Sequence, residues 1–293
     1  MKQNKPSSTA MFVSSGMYYN IHQKHLGQDI SEGVKKYNLK LIEYVYGIKG
    51  GISKRWRLFH CTIMQAFSIK GFFLHFLVRK KCIEKQVCGF IEQGFEQVIV
   101  LGAGYDTLCT RLSDNYPNIK FIELDHPATA DDKISIFKEL GWNRSNIEYL
   151  AHDLKSNEAF CDTNKINKTL KTVFICEGVL MYLQQSDFEK ILDTINRNFK
   201  NNCRFVFTFM EESEPGNYMF KNAMGFVKLY LKLKNEPFTW GIKPEHIGDF
   251  LKKHSWQLLE LYDHKKLTSN FLSKTNQHRP VAIGEDIAVC VKL

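Results

Sequence analysis

Three acidic residues are placed where they could bind a cationic or hydroxylated ligand. Asp125, Asp153 and Glu177 each follow an apolar run that predicts a β-strand. If these strands are parallel, the three carboxylates lie at the carboxyl edge of one sheet, where open α/β sheets bind their ligands. Carboxylates there can accept hydrogen bonds from sugar hydroxyls and from amines, and they oppose a pyrophosphate. The alternative role of each acid is to cap the helix that follows it.

A glycine-containing turn precedes the first of these acids. Gly102 and Gly104 follow the apolar run Val98–Leu101, and they permit a sharp turn and the close approach of a ligand to the backbone. Asp125 lies 21 residues after Gly104. In α/β folds with a Gly-x-Gly turn between a strand and a helix, an acid at about this spacing hydrogen-bonds a ribose diol. Thr107 stands where a dinucleotide fingerprint has its third glycine. This absence favours an adenosine ligand without a pyrophosphate over NAD or FAD, without excluding them.

The elements that must position these residues alternate between strand and helix. We predict strands at Gln97–Leu101, Lys120–Leu124, Ile147–Ala151, Thr172–Cys176, Arg204–Met210, Trp256–Tyr262 and Asp286–Leu293. We predict helices at Asp106–Asn115, Thr129–Leu140, a short segment after Lys155, Ser186–Lys200 with a capping box from Ser186 to Glu189, Pro215–Leu233 and Pro244–Lys253. This alternation indicates a parallel sheet with right-handed crossovers. The expected fold is α/β and Rossmann-like, with a seven-stranded, mostly parallel sheet and helices on both faces.

The N-terminal part of the chain predicts a helical addition to this sheet. Apolar residues recur at helical spacing in Asp29–Tyr46 and again in residues 71–92. Residues 1–27 have no clear periodicity and predict an arm or lid. We therefore expect residues 1–70 to form an N-terminal helical arm, and residues 71–293 to form one compact domain.

Positive charge is concentrated near the N-terminus. Residues 1–90 hold 15 Lys and Arg against 4 Asp and Glu, whereas the whole chain has a formal net charge of +9. This bias favours an acidic substrate, an anionic partner or a membrane surface, with a solvated helical surface as the alternative. We expect no nucleic-acid partner, because the basic residues are not interleaved with aromatics. The apolar stretch Leu58–Val78 is interrupted by polar residues, so we expect it to be buried or interfacial rather than stably inserted in a membrane.

The cysteine pattern gives an expectation for the environment of the protein. The eight cysteines include no CxxC pair and no Cys/His spacing typical of a metal site. Several lie in apolar runs, where cysteine behaves as a small hydrophobe. The first residues also lack the apolar segment of a secretion signal. We expect a reduced, cytoplasmic protein without a metal, and the pattern leaves its oligomeric state unknown.

Four motifs together resemble a known family. They are VIVLGAGYDTLCTRL (98–112), FIELDHPATADDK (121–133), AHDL (151–154) and FICEGVLMYL (174–183). In type and in order they are similar to the leucine carboxyl methyltransferase family, including its bacterial O-methyltransferase-like branch. The resemblance implies the class I methyltransferase version of the Rossmann-like fold and S-adenosyl-L-methionine as the cofactor.

The resemblance also implies which residues bind the cofactor. Gly102, Ala103 and Gly104 match the family's loop under the methionine part of the cofactor. Asp125 matches the acid that binds its ribose.

Further matches assign the remaining contacts. Asp153 and Leu154 correspond to the pair that binds adenine, and Glu177 to the acid beneath the methionyl amine. Arg79 matches an arginine that pairs with the cofactor carboxylate, and a planar guanidinium suits such a bidentate pair. Tyr182 matches a family tyrosine near the transferred methyl group and is the candidate catalytic residue.

The expected reaction is methyl transfer from S-adenosylmethionine to an oxygen of a small-molecule acceptor. A carboxylate acceptor needs no general base at neutral pH, whereas a hydroxyl acceptor does, and both remain open. The basic N-terminal region favours an acidic acceptor. In the segment 211–250, aromatic side chains favour an apolar or aromatic acceptor, with packing of a helix on the sheet as the alternative; they are Phe220, Phe226, Tyr230, Phe238 and Trp240. Residues 1–60 do not match the branch that methylates protein phosphatases. The alternatives are a nucleotide-dependent oxidoreductase and a cofactor-binding partner protein without catalysis.

Overall fold

The computed structural model describes residues 6–66, 69–156, 158–200, 202–221 and 237–293. Within these ranges seven strands form one sheet in the order β3-β2-β1-β4-β5-β7-β6. The strands are β1 (Gln97–Leu101), β2 (Lys120–Asp125), β3 (Ile147–Ala151), β4 (Thr172–Cys176), β5 (Cys203–Met210), β6 (Trp256–Tyr262) and β7 (Glu285–Lys292). Strands β1 to β5 pair in parallel, and β7 runs antiparallel to both β5 and β6. The predicted seven-stranded, mostly parallel sheet is confirmed.

The helices of the described residues cover both faces of the sheet. They are α1 (Ser8–Ile21), α2 (Glu32–Val45), α3 (Gly51–Ala66), α4 (Phe72–Glu92), α5 (Leu108–Asn115), α6 (Pro127–Glu139), α7 (Gln185–Asn198), α8 (Ile247–Lys253) and α9 (His264–Phe271). Short 3₁₀ turns lie at Lys24–Asp29, Leu180–Tyr182 and Pro244–His246.

Alternate residues of the central strand contribute to two apolar cores. On β1, Val98 and Val100 pack into the core that contains α4 and α5. Ile99 and Leu101 pack into the core that contains α7 and α8. Because both faces of β1 are covered, all five of its residues are buried, as expected for a central parallel strand.

Strand register brings the predicted site to one edge of the sheet. Leu101 at the end of β1 pairs with Leu124 of β2, and Asp125 pairs with Ala151 at the end of β3. On the other side of β1, Val100 pairs with Ile175 of β4. The four strands therefore end together, and the residues that follow them surround one region.

The N-terminal segment contains a helix that its sequence pattern did not predict. Helix α1 begins after Ser7, whose side chain accepts a hydrogen bond from the Ala10 N–H. It packs on α4, with the Phe12 ring against Phe73 at 5.5 Å between centroids, and Asn20 donates to the Phe73 carbonyl at 2.5 Å. Apolar and buried small residues surround much of the helix, so it lacks the single apolar stripe that periodicity detects.

Other local predictions need correction. The described residues after Lys155 form turns rather than a short helix. Helix α7 is capped by Gln184 and Asp187 rather than by Ser186 and Glu189, so the capping box lies two residues earlier. Helices α3 and α9 were not predicted. The helix predicted at Pro215–Leu233 lies largely outside the described residues.

The described part of the chain contains neither a membrane-spanning helix nor a cluster of metal-binding side chains. No helix there combines the length and apolarity needed to cross a membrane. No group of three or more His, Cys, Asp or Glu side chains is arranged there to hold a metal ion.

Candidate functional site

A cavity of about 540 Å³ lies at the carboxyl ends of β1 to β4. Its walls include residues from the loops after these strands, from α4 and from α1, which lies across it. All nine residues predicted from the sequence line this one cavity: Arg79, Gly102, Ala103, Gly104, Asp125, Asp153, Leu154, Glu177 and Tyr182. The fold therefore brings together side chains that are up to about a hundred positions apart in the chain.

The glycine turn after β1 requires its two glycines. Gly102 has φ 74° and Gly104 has φ 48°, which L-residues with a Cβ rarely adopt. A Cβ on Gly102 would lie 2.3 Å from Val179, and one on Gly104 would lie 2.9 Å from the Ala10 side chain. The turn therefore packs against two segments: Val179, after β4, contacts it at Gly102, and Ala10 of α1 contacts it at Gly104.

Asp125 is held in place by backbone donors. Its Oδ2 accepts a hydrogen bond from the Gly104 N–H at 2.6 Å, and its Oδ1 accepts one from the His126 N–H at 2.7 Å. Burial raises the pKa of Asp125, while these two N–H groups act to lower it. Each carboxylate oxygen retains acceptor capacity for a further donor, so the fixed group can bind a pair of hydroxyls.

Asp153 and Leu154 lie after β3 at the outer part of the cavity. Asp153 is exposed, and its Oδ1 accepts a hydrogen bond from the Lys155 N–H at 2.9 Å. Beside them, burial lowers the pKa of His152, which also lines the cavity. This end offers an acceptor, an apolar side chain and a neutral imidazole, a combination suited to a planar, amine-bearing ring.

A buried ionic network lies at the inner end of the cavity. Arg79 Nε donates to Glu177 Oε1 at 2.9 Å, and its Nη1 donates to both oxygens of Glu285 at 2.9 and 2.8 Å. His75 Nε2 lies 2.7 Å from Glu285 Oε2. Burial would raise the pKa of Glu285, but the Arg79 charge and the His75 hydrogen bond lower it to about 2. Arg79 is therefore fixed by two acids, so a ligand carboxylate would have to share its guanidinium with them.

Lys80 connects Glu177 to the start of α5. Its Nζ lies 2.8 Å from Asp106 Oδ2 and 3.1 Å from Glu177 Oε1. Asp106 Oδ1 accepts hydrogen bonds from the Thr107 and Leu108 N–H groups at 2.6 and 3.1 Å. Despite burial, the Lys80 charge lowers the pKa of Asp106. Asp106 thus organises the glycine turn and the first turn of α5.

The helix-capping alternative does not describe the three acids. Helix α6 begins after His126 without a side-chain cap. Asp125 instead accepts hydrogen bonds from the Gly104 N–H in the glycine turn and from the His126 N–H directly after β2. Glu177 pairs with Arg79 and Lys80. No helix follows Asp153 among the described residues up to Lys171. The carboxylates are held as parts of the cavity wall.

Tyr182 lies at the boundary between the cavity and an aromatic cluster. It ends the 3₁₀ turn after β4, and its ring packs edge-on against Phe238 at 5.4 Å between centroids. The ring centroid of Phe238 lies 6.3 Å from that of Phe220, which is buried. Trp240, also considered for an aromatic acceptor, packs instead on Phe188 in the core. Phe226 and Tyr230 lie outside the described residues.

Sequence reasoning missed several residues of the cavity wall. They include the polar residues Ser7, Thr9 and Ser14 from α1 and its N-cap, Lys80 from α4, and Thr239. Lys80 could have been found, because it follows Arg79 directly and carries a charge suited to the acids opposite. The α1 residues gave no local signal, since their proximity depends on how α1 packs across the sheet.

Comparison with known proteins agrees with the resemblance that the sequence motifs indicated. Residues 54–196 match the family model described as leucine carboxyl methyltransferase, which confirms the resemblance inferred from the motifs. A Bacillus subtilis protein described as an S-adenosyl-L-methionine-dependent methyltransferase is 24% identical over 139 residues, 47% of this chain and 46% of that protein. Leucine carboxyl methyltransferase 1 of Caenorhabditis elegans is 28% identical over 150 residues, 42% of this chain and 45% of that protein. The chain thus matches about half the length of these relatives.

A solved structure supports the assignment of the fold. A Thermobifida fusca protein described as a methyltransferase aligns with a TM-score of 0.57 and 13% identity, covering 86% of this chain and 93% of that one. The α/β Rossmann-like methyltransferase fold is confirmed.

Proposed function

We propose that the cavity binds S-adenosylmethionine and that the protein is an S-adenosylmethionine-dependent methyltransferase. The observation that carries this proposal is the convergence of the Gly102–Gly104 turn and the three strand-end acids on one cavity. The family match over residues 54–196 supports it independently.

The charges of the cavity wall fit this cofactor better than a dinucleotide. Asp125, Asp153 and Glu177 line it together with Arg79 and Lys80. A zwitterionic amino-acid group can pair with both signs of charge at the inner end, where Glu177 and the two bases lie together. A pyrophosphate would instead meet the acids that follow β2, β3 and β4, which opposes its binding.

The proposed contacts follow the chemistry of each residue. Asp125 would bind the ribose hydroxyls, and Asp153 with Leu154 would bind the adenine amine and ring. Glu177 would bind the methionyl ammonium. Arg79 would bind the carboxylate while it remains paired with Glu285.

We further propose an oxygen atom of a small molecule as the methyl acceptor. The cofactor supplies a methyl group that is already activated as part of a sulfonium, so the chain mainly has to align a nucleophile and exclude water. Tyr182 would position the acceptor through its hydroxyl, because it lines the cavity beside an aromatic cluster. Two relatives are described as leucine carboxyl methyltransferases, which favours a carboxylate acceptor over a hydroxyl.

The proposal is tested by measuring S-adenosylhomocysteine release with a panel of small carboxylates and phenols. We expect turnover with at least one acceptor, and Tyr182→Phe should lower kcat with little change in cofactor affinity. Phe188→Leu is the packing control, because Phe188 packs on Trp240 in the core and does not line the cavity. This variant should lower the stability of the protein without a selective loss of kcat. Cofactor binding without turnover across the panel would favour a non-catalytic partner protein, and binding of reduced nicotinamide cofactor instead would favour an oxidoreductase.

A further inference from the structure

Helix α3 exposes an apolar stripe that the methyltransferase site does not use. Among the described residues eight large apolar side chains are exposed, and six of them lie between residues 44 and 63. Four of these lie along one side of α3: Ile52 (76% exposed), Trp56 (68%), Phe59 (57%) and Ile63 (41%). Their spacing of four, three and four residues forms a continuous stripe on a helix.

The opposite side of α3 fixes this orientation. Cys61 is fully buried, and its thiol donates to the Ser15 carbonyl at 3.8 Å. The Arg57 guanidinium donates to the Ser15 hydroxyl and lies 3.5 Å from the centroid of the Tyr46 ring. Because these contacts hold one side of α3 against α1 and α2, the apolar stripe faces away from the protein.

The charge around the stripe is of one sign. Between Glu43 and the end of α3 at Ala66 the chain holds no Asp or Glu and four Lys and Arg. Lys54 and Arg55 are exposed on α3 itself, and Lys49 is exposed just before it. Large apolar side chains flanked by basic residues are typical of helices that lie in the interface of a lipid bilayer.

We propose that α3 docks the protein on an anionic lipid surface. The stripe would enter the interface between headgroups and acyl chains, while Arg55, three residues after Ile52 and four before Phe59, and Lys49, just before the helix, would contact anionic headgroups. A second copy of the chain fits less well, because pairing two stripes would bring the basic residues of both copies together without an acidic partner.

The docking face is one helix away from the cavity. Helix α3 contacts α1 through Cys61 and Arg57, and Ala10, Val13 and Ser14 of α1 line the cavity. Docking through α3 would therefore hold the helix that covers the site near the lipid surface.

Tryptophan fluorescence provides a direct probe of docking. Trp56 is exposed, whereas the other three tryptophans, Trp142, Trp240 and Trp256, are at most 4% exposed. The test adds the intact protein to phosphatidylcholine vesicles, with or without about 30% phosphatidylglycerol, and measures both co-sedimentation and emission. We expect co-sedimentation and a blue shift only with the anionic vesicles, both weakened by salt.

Matched variants separate docking from loss of folding. Trp56→Glu with Phe59→Glu should weaken vesicle binding at least about tenfold, because charges replace the apolar contacts. Leu259→Glu removes an exposed apolar residue outside the stripe (49% exposed) and should bind like wild type.

Charge and probe variants complete the test. Lys49→Glu with Arg55→Glu should also weaken binding, whereas Lys252→Glu with Lys253→Glu, on α8, should not. Trp56→Phe should keep most of the binding but lose the blue shift.

Three results would overturn the proposal. The first is equal binding to neutral and anionic vesicles, and the second is vesicle binding that survives Trp56→Glu with Phe59→Glu. The third is a dimer or a complex with polyglutamate that requires the stripe, in a protein that does not bind vesicles.

Discussion

The Asp125 carboxylate illustrates what single residues contribute to the proposed site. Backbone N–H groups of Gly104 and His126 hold its two oxygens at 2.6 and 2.7 Å. A ligand hydroxyl that binds this carboxylate therefore meets a group whose orientation is already fixed, so little side-chain entropy is lost on binding.

We expect Asp125→Ala to weaken S-adenosylhomocysteine binding about tenfold to a hundredfold, since a hydrogen bond to a charged group contributes roughly 1.5–3 kcal/mol. Calorimetric titration measures the affinity. Asp131→Ala, at an exposed position of α6, is the control and should bind like wild type. Equal affinities of the two variants would show that Asp125 does not contact the ligand.

Asp286 makes a second, independent prediction about pH. It is 1% exposed, and neither carboxylate oxygen has a hydrogen-bond partner among the described residues. Burial, with added repulsion from Glu211 and Asp263, raises the pKa of Asp286 to about 8. The folded protein therefore keeps this proton at pH values where the unfolded chain, with an ordinary aspartate pKa, has lost it.

The contribution of Asp286 to the free energy of unfolding of wild type should consequently fall as the pH rises from about 4 to about 8. Asp286→Asn stays neutral and lacks this loss, so its stability relative to wild type should rise by about 3 kcal/mol or more over that range. Urea unfolding at several pH values measures the difference, with Asp131→Asn as the control. A stability difference that does not change with pH would contradict the assignment.

Residue types and spacing predicted the cavity-lining acids, because apolar runs that end in Asp or Glu mark the edge of a parallel sheet. They did not predict the partners of Arg79. Glu285 is 206 positions away and reaches Arg79 only because β7 inserts between β5 and β6. Such a long-range pairing has no local signal in a single sequence.

The turn between β1 and α5 shows how element geometry supports the site. Gly102 has φ 74° and Gly141 has φ 69°, but only Gly102 has a side chain close to where a Cβ would lie. Replacing either glycine by Ala costs about 1–2 kcal/mol for the left-handed backbone. Gly102→Ala adds a contact of 2.3 Å with Val179.

We therefore expect Gly102→Ala to be the more destabilised variant in urea and to lose S-adenosylhomocysteine binding, while Gly141→Ala keeps it. Val179→Ala should partly restore the stability of Gly102→Ala by removing the contact. If Gly102→Ala and Gly141→Ala lose the same stability and bind alike, the turn does not have the close packing described.

Among the secondary-structure elements, strands were predicted more reliably than helices. The buried strands are short apolar runs bounded by polar or turn residues, so β1, β3, β4 and β6 have the predicted ends. Helix α1 lacks an apolar stripe, and α9 has only eight residues, although Asp263 caps it by accepting from the Lys266 N–H. That cap was a local signal that sequence reasoning could have used.

On the scale of the whole molecule, the chain combines a Rossmann-like sheet with a basic N-terminal helical region. Helix α1 covers the cavity, and α3 carries the exposed stripe on the other side of α1. The charge bias of residues 1–90 was evident from the sequence. The concentration of exposed apolar residues on one face of α3 was not, because it depends on which side of the helix packs against α1.

Cofactor binding by the intact protein tests the central claim most directly. Calorimetry should be run with S-adenosylhomocysteine and, separately, with reduced nicotinamide adenine dinucleotide. We predict saturable binding of S-adenosylhomocysteine at one site per chain, and no binding of the dinucleotide. Absence of S-adenosylhomocysteine binding by the folded protein would contradict the proposed methyltransferase function.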